Sequence, residues 1–188
     1  MLKWLIKRRI AAFEREFGYD ASYAREVIDT DARAFWQFAK INGLSEYRRD
    51  VPAAVYYAVK ITGTLAEDCG PCTQLSVTMA LKDGVDPRAI ASIIEGTEAR
   101  MTDEVRLGVR FALGVLAHSP DADEVRDEIV RRWGPRALIS VAFAITAARF
   151  YPTLKYAMGF GKACQRVVVA GEPVVPRRQL ATPDTLPA

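Results

Sequence analysis

The sequence predicts an all-α fold, arranged as a single-domain helical bundle. Apolar residues recur three and four positions apart along nearly every segment, which is typical of amphipathic helices. Capping residues, glycines and prolines separate these segments into helix-sized lengths. Only "QRVVVAG", residues 165–171, has the run of β-branched residues expected of a strand. A chain of 188 residues suits one domain and can bury a substantial core.

The N-terminal part of the chain, residues 1–49, predicts helices joined by short turns. The first helix carries an apolar stripe at helical spacing: Leu2, Ile6, Ile10, Phe13 and Phe17. Gly18 ends this pattern, and Asp20 predicts the start of a second helix. Thr30 and Asp31 indicate an interruption before a third apolar face. The Asn42-Gly43 pair predicts a turn that stops the chain.

From residue 50 onward the sequence predicts a further series of helices. Asp50 and Pro52 indicate one helix start, because proline is tolerated in a first helical turn. Asp86-Pro87 predicts a short helix that ends near Gly96, and Thr102 predicts the start of a longer one.

The last helices and the C-terminal segment follow the same reasoning. A helix is predicted from about residue 123 to residue 133, closed by Gly134. Pro152 should end or kink the most apolar helix of the chain. Residues 171–188 are rich in proline and predict an extended tail.

Composition and charge narrow the function classes. The net charge of +3 is too small to indicate a nucleic-acid partner. No apolar run reaches the ~18 residues of a membrane span, and charges interrupt the opening residues too often for a signal peptide. We therefore expect a cytoplasmic protein without a membrane span, and no pattern indicates a metal or another cofactor.

The stretch "LAEDCGPCTQLSVTM", residues 65–79, holds two of the three cysteines. Cys69 and Cys72 lie three positions apart at a predicted helix start, so their sulfurs share a face and can close a disulfide. Unpaired N–H groups and the helix dipole favour thiolates there. The carboxylates of Glu67 and Asp68 oppose this effect.

Three interpretations of this pair are open. In a reducing compartment a C-x-x-C pair indicates redox catalysis or a metal site more than a structural bridge. A zinc site would need two more ligands, and only Cys164 and His118 are obvious candidates. The third interpretation is that both cysteines are small packing residues. The spacing at a helix start favours the redox interpretation.

The segment "VPAAVYYAVKITGTLAEDCGPCTQLSVTMALKDGVDPRAIASIIEG" orders a helix, the dithiol, a second helix and a short helix that begins with proline. Together with "DEVRLGVRFALGVLAHSPDADEVRDEIVRRWGPRALISVAFAITAARF", it resembles the carboxymuconolactone decarboxylase family in its alkyl hydroperoxidase D-like branch. The resemblance covers roughly residues 50–150. It implies a core at 50–160 of that type, with residues 1–49 and 171–188 outside it.

The resemblance also implies roles for the cysteines. Cys72 would be the sulfur that attacks a peroxide, and Cys69 the resolving, partner-facing sulfur. Two residues of the family's proton relay are replaced, because Ser76 stands where the family has a histidine and Tyr57 stands where it has a glutamate. A histidine that some members carry between the cysteines is Pro71 here.

The function expected from the resemblance is a thiol-dependent redox protein, an antioxidant oxidoreductase. It would reduce a peroxide or a disulfide and receive electrons from a thiol reductant protein. Glu67 and Lys60 are candidates to replace the missing relay. The alternative is a non-enzymatic helical oligomer with a degenerate site. In either case the stripe on the first helix predicts a homo-oligomer, most simply a dimer.

Four further residues carry weaker expectations. His118 follows a helix end and predicts a surface or capping residue. Arg110 and Arg149 lie in apolar helices and should either pair with a carboxylate of Glu67, Asp68 or Glu95 or extend to solvent. Cys164 is either a third redox sulfur or inert packing.

Overall fold

The computed structural model describes residues 2–162 and 166–177, and these residues confirm the all-α bundle. The elements are α1 Leu2–Phe17, α2 Ser22–Thr30, α3 Ala32–Ala39, α4 Ile41–Glu46, α5 Ala53–Ala66, α6 Gly70–Lys82, α7 Pro87–Glu95, a 3-10 turn Glu98–Arg100, α8 Asp103–Leu116, α9 Ala122–Trp133, α10 Pro135–Ala157, β1 Val167–Val169 and β2 Glu172–Val174. Cys164 and residues 178–188 lie outside the described residues.

Helix α5 is the centre of the bundle, and we call its surroundings the aliphatic core. The helix contacts α6, α7, α8 and α10, and it is buried continuously from Val55 to Thr64. Glycines allow the closest approaches. A Cβ on Gly63 would lie 2.9 Å from the Cβ of Ala148, and one on Gly108 would lie 2.9 Å from the carbonyl oxygen of Val55. This side of the molecule has no spare volume at these contacts.

Helices α1 to α3 build a second cluster, which we call the aromatic layer. Its rings belong to Phe13, Phe17, Tyr19, Tyr23, Phe35 and Phe38. The layer packs against Leu75 of α6 and against Tyr151 and Leu154 of α10. The ring pairs are mostly edge-to-face, the geometry that aromatic quadrupoles favour.

The stripe on α1 divides between this layer and solvent. Phe13 and Phe17 belong to the aromatic layer, and Ile10 packs against it. The start of the helix is not covered, because Leu2 and Leu5 remain 58% and 50% exposed. Three of the five stripe residues on which the oligomer prediction rests therefore belong to the protein's own packing.

Most predicted helix boundaries are confirmed. Gly18, Gly84 and Gly96 end α1, α6 and α7 with φ of 59°, 77° and 67°, the left-handed conformation expected of a glycine exit. The side chains of Asp86 and Thr102 accept hydrogen bonds from the first turns of α7 and α8.

The predicted turn at Asn42-Gly43 is wrong, because both residues lie inside α4. The short helix is held by tertiary contacts that local sequence does not reveal. It packs on α10, and the carbonyl of Ser45 near its end accepts hydrogen bonds from the Tyr56 hydroxyl at 2.5 Å and the Lys60 ammonium at 3.3 Å. These bonds satisfy a helix-end carbonyl that would otherwise lack a partner.

Of the two alternatives predicted for Pro152, the end of the helix is wrong, since α10 continues to Ala157. Pro152 is buried, and its neighbours Tyr151 and Leu154 pack against the aromatic layer. In the same turn the Thr153 hydroxyl donates to the Arg149 carbonyl at 2.8 Å. Tertiary packing on this turn outweighs the hydrogen bond that a proline removes.

The predicted strand is confirmed, and a second strand follows it. β1 pairs with β2 antiparallel, with Val167 opposite Val174, and Ala170 and Gly171 form a turn with positive φ. The second strand lies within the segment predicted to be an extended tail. The hairpin packs on α6 and α7, where the Gln74 side-chain amide exchanges two hydrogen bonds with the backbone of Val168.

Helix α10 meets the length and composition of a membrane span. An 18-residue stretch of it has a mean hydropathy of 1.4, and it alone meets these criteria among the described residues. Its buried residues contact α5, α9 and α4, as the core helix of a bundle does. The absence of a membrane span stays a prediction.

Candidate functional site

The two cysteines of the C-x-x-C stretch lie at the start of α6 and are joined by a disulfide. Cys69 is the N-cap residue and Cys72 lies in the first turn, with Cα atoms 5.3 Å apart. Their spacing therefore places the sulfurs together, as predicted. Cys69 is 0% exposed and Cys72 is 4% exposed.

Backbone contacts on several sides hold the turn before α6. Asp68 adopts a φ of 48°, which reverses the chain between α5 and α6. The Cys69 amide donates to the Thr64 carbonyl at 3.4 Å, and the Gly70 amide donates to the Lys162 carbonyl at 3.0 Å. Cys69 is thus enclosed, which differs from the partner-facing position that the resemblance implied.

Cys72 borders a large, partly open cavity of about 860 Å³ between the aromatic layer, α4, α5, α6 and α10. Cys69 is not among the residues that line it. Most of the wall is apolar or aromatic, with Phe13, Phe17 and Trp36 on one side and Leu75 on the other. A small molecule in this cavity has access to one sulfur of the pair only.

A tyrosine and a lysine from distant parts of the chain meet at Cys72. The hydroxyl of Tyr19 lies 4.0 Å from the sulfur of Cys72. The ammonium of Lys155 donates to that hydroxyl at 3.3 Å and lies 4.7 Å from the centre of the same ring. It also lies 5.4 Å from the ring centre of Tyr23, so the cation faces two aromatic rings.

Burial determines the protonation of this pair. Desolvation raises the pKa of Tyr19 to about 12, so its hydroxyl keeps its hydrogen near neutral pH. Burial lowers the pKa of Lys155 below its ordinary value, while the nearby charge of Asp20 opposes that shift. Because the Tyr19 oxygen accepts from Lys155, its own hydrogen is directed to another acceptor, and the sulfur of Cys72 lies within reach.

Two of the replaced relay positions line the same cavity without contacting a sulfur. Ser76 donates to the Cys72 carbonyl at 3.1 Å, a bond within the helix backbone ladder. Tyr57 donates to a carboxylate oxygen of Asp83 at 2.7 Å, at the other end of α6. Burial is the main cause that raises the pKa of Tyr57, so this hydroxyl also stays protonated.

The other two candidates lie apart from the sulfurs or farther along the cavity. Glu67 accepts from the Arg149 guanidinium at 2.6 Å and from Thr153 at 3.3 Å, so its carboxylate faces α10. This ion pair is one of the alternatives predicted for Arg149. Lys60 lines the cavity from the middle of α5.

The remaining candidates lie away from this site. Arg110 is exposed, in agreement with the solvent alternative, and His118 is an exposed residue just after α8. No group of three metal-ligating side chains occurs in residues 2–162 and 166–177. The zinc interpretation therefore has no ligand set in the part of the chain that the structure describes.

Sequence reasoning missed Tyr19 and Lys155. The two residues are 136 positions apart, and Tyr19 lies between Gly18 and Asp20, at a junction of two predicted helices that carries no motif. A lysine four residues after Tyr151 in the most apolar helix is the one local signal, since a cation there must find buried partners.

No family model matches the chain, and neither a curated protein nor a solved structure matches it. The resemblance to the carboxymuconolactone decarboxylase family stays a prediction from the sequence.

Proposed function

We propose that the protein is a thiol-dependent reductase that uses Cys69 and Cys72 to reduce a hydroperoxide or a small disulfide. The observation that carries the proposal is the position of Cys72, which is disulfide-bonded to Cys69 and also forms part of the wall of a large apolar cavity. A purely structural bridge needs no such cavity beside one of its sulfurs. The resemblance to the alkyl hydroperoxidase D-like branch supports the same activity.

The reaction with a hydroperoxide balances within the pair. The Cys72 thiolate attacks the distal peroxide oxygen, so an S–O bond forms, the O–O bond breaks and an alkoxide leaves with a proton. The Cys69 thiol then attacks the Cys72 sulfenic acid, which forms the disulfide and releases water. Two electrons and two protons from an external thiol reductant restore the dithiol.

Tyr19 and Lys155 supply the proton chemistry in this proposal. Tyr19 contacts the reacting sulfur and donates a hydrogen bond that stabilises the Cys72 thiolate. The same hydroxyl supplies a proton to the leaving alkoxide and regains one from Lys155. General acid help of this kind typically contributes a factor of ~10² to 10⁴ in rate. Lys155 positions the Tyr19 hydroxyl and returns a proton to it, without contacting the sulfur itself.

The burial of Cys69 limits how electrons arrive. A thiol that enters the cavity attacks the sulfur of Cys72 and releases Cys69, because Cys69 itself is 0% exposed. A reductant protein needs a slender thiol-bearing group or a local opening of the turn before α6. The cycle also needs a reducing compartment, and we propose the cytoplasm.

The alternative function, a non-enzymatic oligomer, rests on the start of α1. Leu2, Trp4 and Leu5 are 58%, 61% and 50% exposed, and a second copy could cover them through a two-fold interface. This surface and the redox site are compatible in one protein. The absence of turnover together with a stable dimer would favour the alternative.

The proposal is tested by peroxide consumption in a Cys164→Ser background. With cumene hydroperoxide and dithiothreitol we expect multiple turnovers above the rate of dithiothreitol alone. Cys72→Ser should abolish turnover. Without dithiothreitol, the reduced Cys69→Ser variant should consume one equivalent of peroxide and keep a sulfenic acid on Cys72 that dimedone traps. Turnover by Cys72→Ser at the rate of the parent, or no turnover by the parent, would contradict the proposal.

A further inference from the structure

The cavity beside Cys72 is too large for a peroxide alone. A water molecule occupies about 30 Å³ in the liquid, and hydrogen peroxide is only slightly larger. The cavity measures about 860 Å³, within the ~300 to 1,000 Å³ of sites that bind small organic molecules. Its volume therefore fits a molecule with a substantial apolar body.

The walls of the cavity are mostly apolar, and Lys60 is the one buried cation among the described residues that line it. Six exposed charged residues also line it: Arg9, Glu16, Glu46, Arg48, Lys82 and Asp83. The aromatic layer and the side chains of Leu75 and Met79 supply the apolar part. Lys60 supplies the cation from α5, where its side chain is 7% exposed. Lys60 follows Tyr57 by three residues and precedes Thr64 by four, so these three cavity-lining residues share one helix face.

The ammonium of Lys60 has unused hydrogen-bonding capacity. It carries three donors, and its hydrogen bond goes to the Ser45 carbonyl at 3.3 Å. It also lies 5.5 Å from the ring centre of Tyr56. No carboxylate in the described ranges lies within 4.0 Å of it, and the nearby Asp83 carboxylate accepts from Arg48 and Tyr57 instead. The carboxylates of Asp83 and Glu46 act on Lys60 from a longer distance and offset only part of its desolvation, which remains the larger effect.

We propose that this cavity binds an amphipathic acid, with its carboxylate on Lys60 and its apolar body against the aromatic layer. An acid completes the hydrogen bonding of the ammonium and neutralises its charge, while the body replaces water on apolar walls. Burial lowers the pKa of Lys60 to about 8, so the side chain still carries its charge near neutral pH. A neutral apolar ligand gives the ammonium neither a hydrogen bond nor a direct charge contact and is the weaker occupant.

The position of Lys60 relative to Cys72 specifies the substrate further. Helices α5 and α6 run antiparallel. Tyr57, near the start of α5, bonds Asp83 at the end of α6, and Thr64, near the end of α5, bonds Cys69 at the start of α6. Lys60 lies between these two levels, one helical turn, or about 6 Å, from Thr64. An acid anchored there presents a group several carbons along its chain to Cys72. As a substrate, this means an acid with a hydroperoxide or disulfide away from its carboxylate, an assignment that rests on the proposed function.

Binding is measured with cis-parinaric acid and its methyl ester, whose fluorescence rises in apolar sites. We expect the unmodified protein to bind the acid at least ten times more tightly than the ester. Lys60→Met should weaken the acid about tenfold and leave the ester unchanged, whereas Lys60→Arg should retain the preference. The matched control is Lys40→Met, an exposed lysine that does not line the cavity.

Equal binding of acid and ester by the unmodified protein overturns the inference, and so does the same response from Lys60→Met and Lys40→Met. Melting curves establish that each variant is folded. Binding and turnover separate the two proposals, because Cys72→Ser should bind the acid with unchanged affinity and lack turnover. A parent protein that prefers the acid but turns over no peroxide would remove the proposed reaction and keep the site.

Discussion

The aliphatic core is tightly packed, whereas the aromatic layer leaves a large cavity beside it. In the core, helices α5, α8 and α10 approach so closely that Gly63 and Gly108 have no room for a side chain. The aromatic layer, by contrast, encloses a cavity of about 860 Å³ with α5, α6 and α10. Helix α5 takes part in both, since one face contacts the core and another lines the cavity.

The buried charged side chains also differ between the two regions. The two buried lysines, Lys60 and Lys155, lie on the side of the aromatic layer, at 7% and 3% exposure. Loose packing and desolvated cations both lower stability, and natural proteins keep such features mainly where they bind or react with something. The difference indicates that the core stabilises the fold and that the aromatic side carries the site.

The largest predicted effect comes from placing a leucine in the aliphatic core and comparing it with a leucine placed at the cavity wall. Gly108→Leu should destabilise the protein by about 3 kcal/mol or more, because its first side-chain atom meets the Val55 carbonyl. Ser76→Leu, which extends into the cavity, should change the free energy of unfolding by less than about 1 kcal/mol. Urea unfolding measures both, and equal losses would mean that the cavity is as tightly packed as the core.

The next effect concerns the stability cost of the buried cation. Burial lowers the pKa of Lys60 from 10.5 to about 8, so the unfolded chain binds more protons between these values. The penalty is present in full below pH 8 and fades as the pH rises toward 10.5. Lys60→Met should therefore raise the free energy of unfolding by about 1 to 3 kcal/mol at pH 7.

The gain in the free energy of unfolding of Lys60→Met over the parent should be smaller at pH 9.5 than at pH 7. Titration of buried tyrosines cancels, because both proteins carry the same ones. A variant that is less stable than the parent at pH 7 would indicate that Lys60 contributes to stability.

A smaller effect separates Tyr19 from the other cavity tyrosines. Tyr19→Phe removes the donor at 4.0 Å from the Cys72 sulfur, so the thiolate should form at higher pH and react about tenfold more slowly, or about 1.4 kcal/mol. Tyr151→Phe is the matched control, because its hydroxyl donates to Asn42 at 2.6 Å. The pH profile of iodoacetamide labelling at Cys72 reports the change. Identical profiles for the two variants would remove Tyr19 from the relay.

The smallest effect concerns assembly through the exposed start of α1. Leu5→Ser should weaken a homodimer, whereas Val175→Ser, at a position 72% exposed and far along the chain, should not. Analytical ultracentrifugation across micromolar concentrations measures the equilibrium. A full-length protein that stays monomeric throughout would contradict the dimer.

The aliphatic core was largely predictable from sequence, while the aromatic side was not. Local signals such as the Asp86 cap and the Gly96 exit act within a few residues, so the sequence displays them directly. The helical course of Asn42-Gly43 and of Pro152 depends on contacts with distant elements, which override local preference.

In the candidate site, too, the sequence predicted the local contacts and missed those between distant residues. The closeness of Cys69 and Cys72 follows from their spacing, and the sequence alone predicted it. Lys155 reaches Tyr19 across 136 positions, and no periodic pattern joins two single residues at that separation. The cavity is likewise a product of how α1 to α4 pack on the core.

The reduction potential of the Cys69–Cys72 pair is the most direct test of the redox site. It is measured in a Cys164→Ser background by equilibration in dithiothreitol or glutathione buffers, with peptide mapping of the bridge. We expect reversible pairing of Cys69 with Cys72 at about −270 to −120 mV, the range of dithiol oxidoreductases. A potential below about −300 mV, typical of structural disulfides, or a dithiol that does not close under mild oxidation would contradict it.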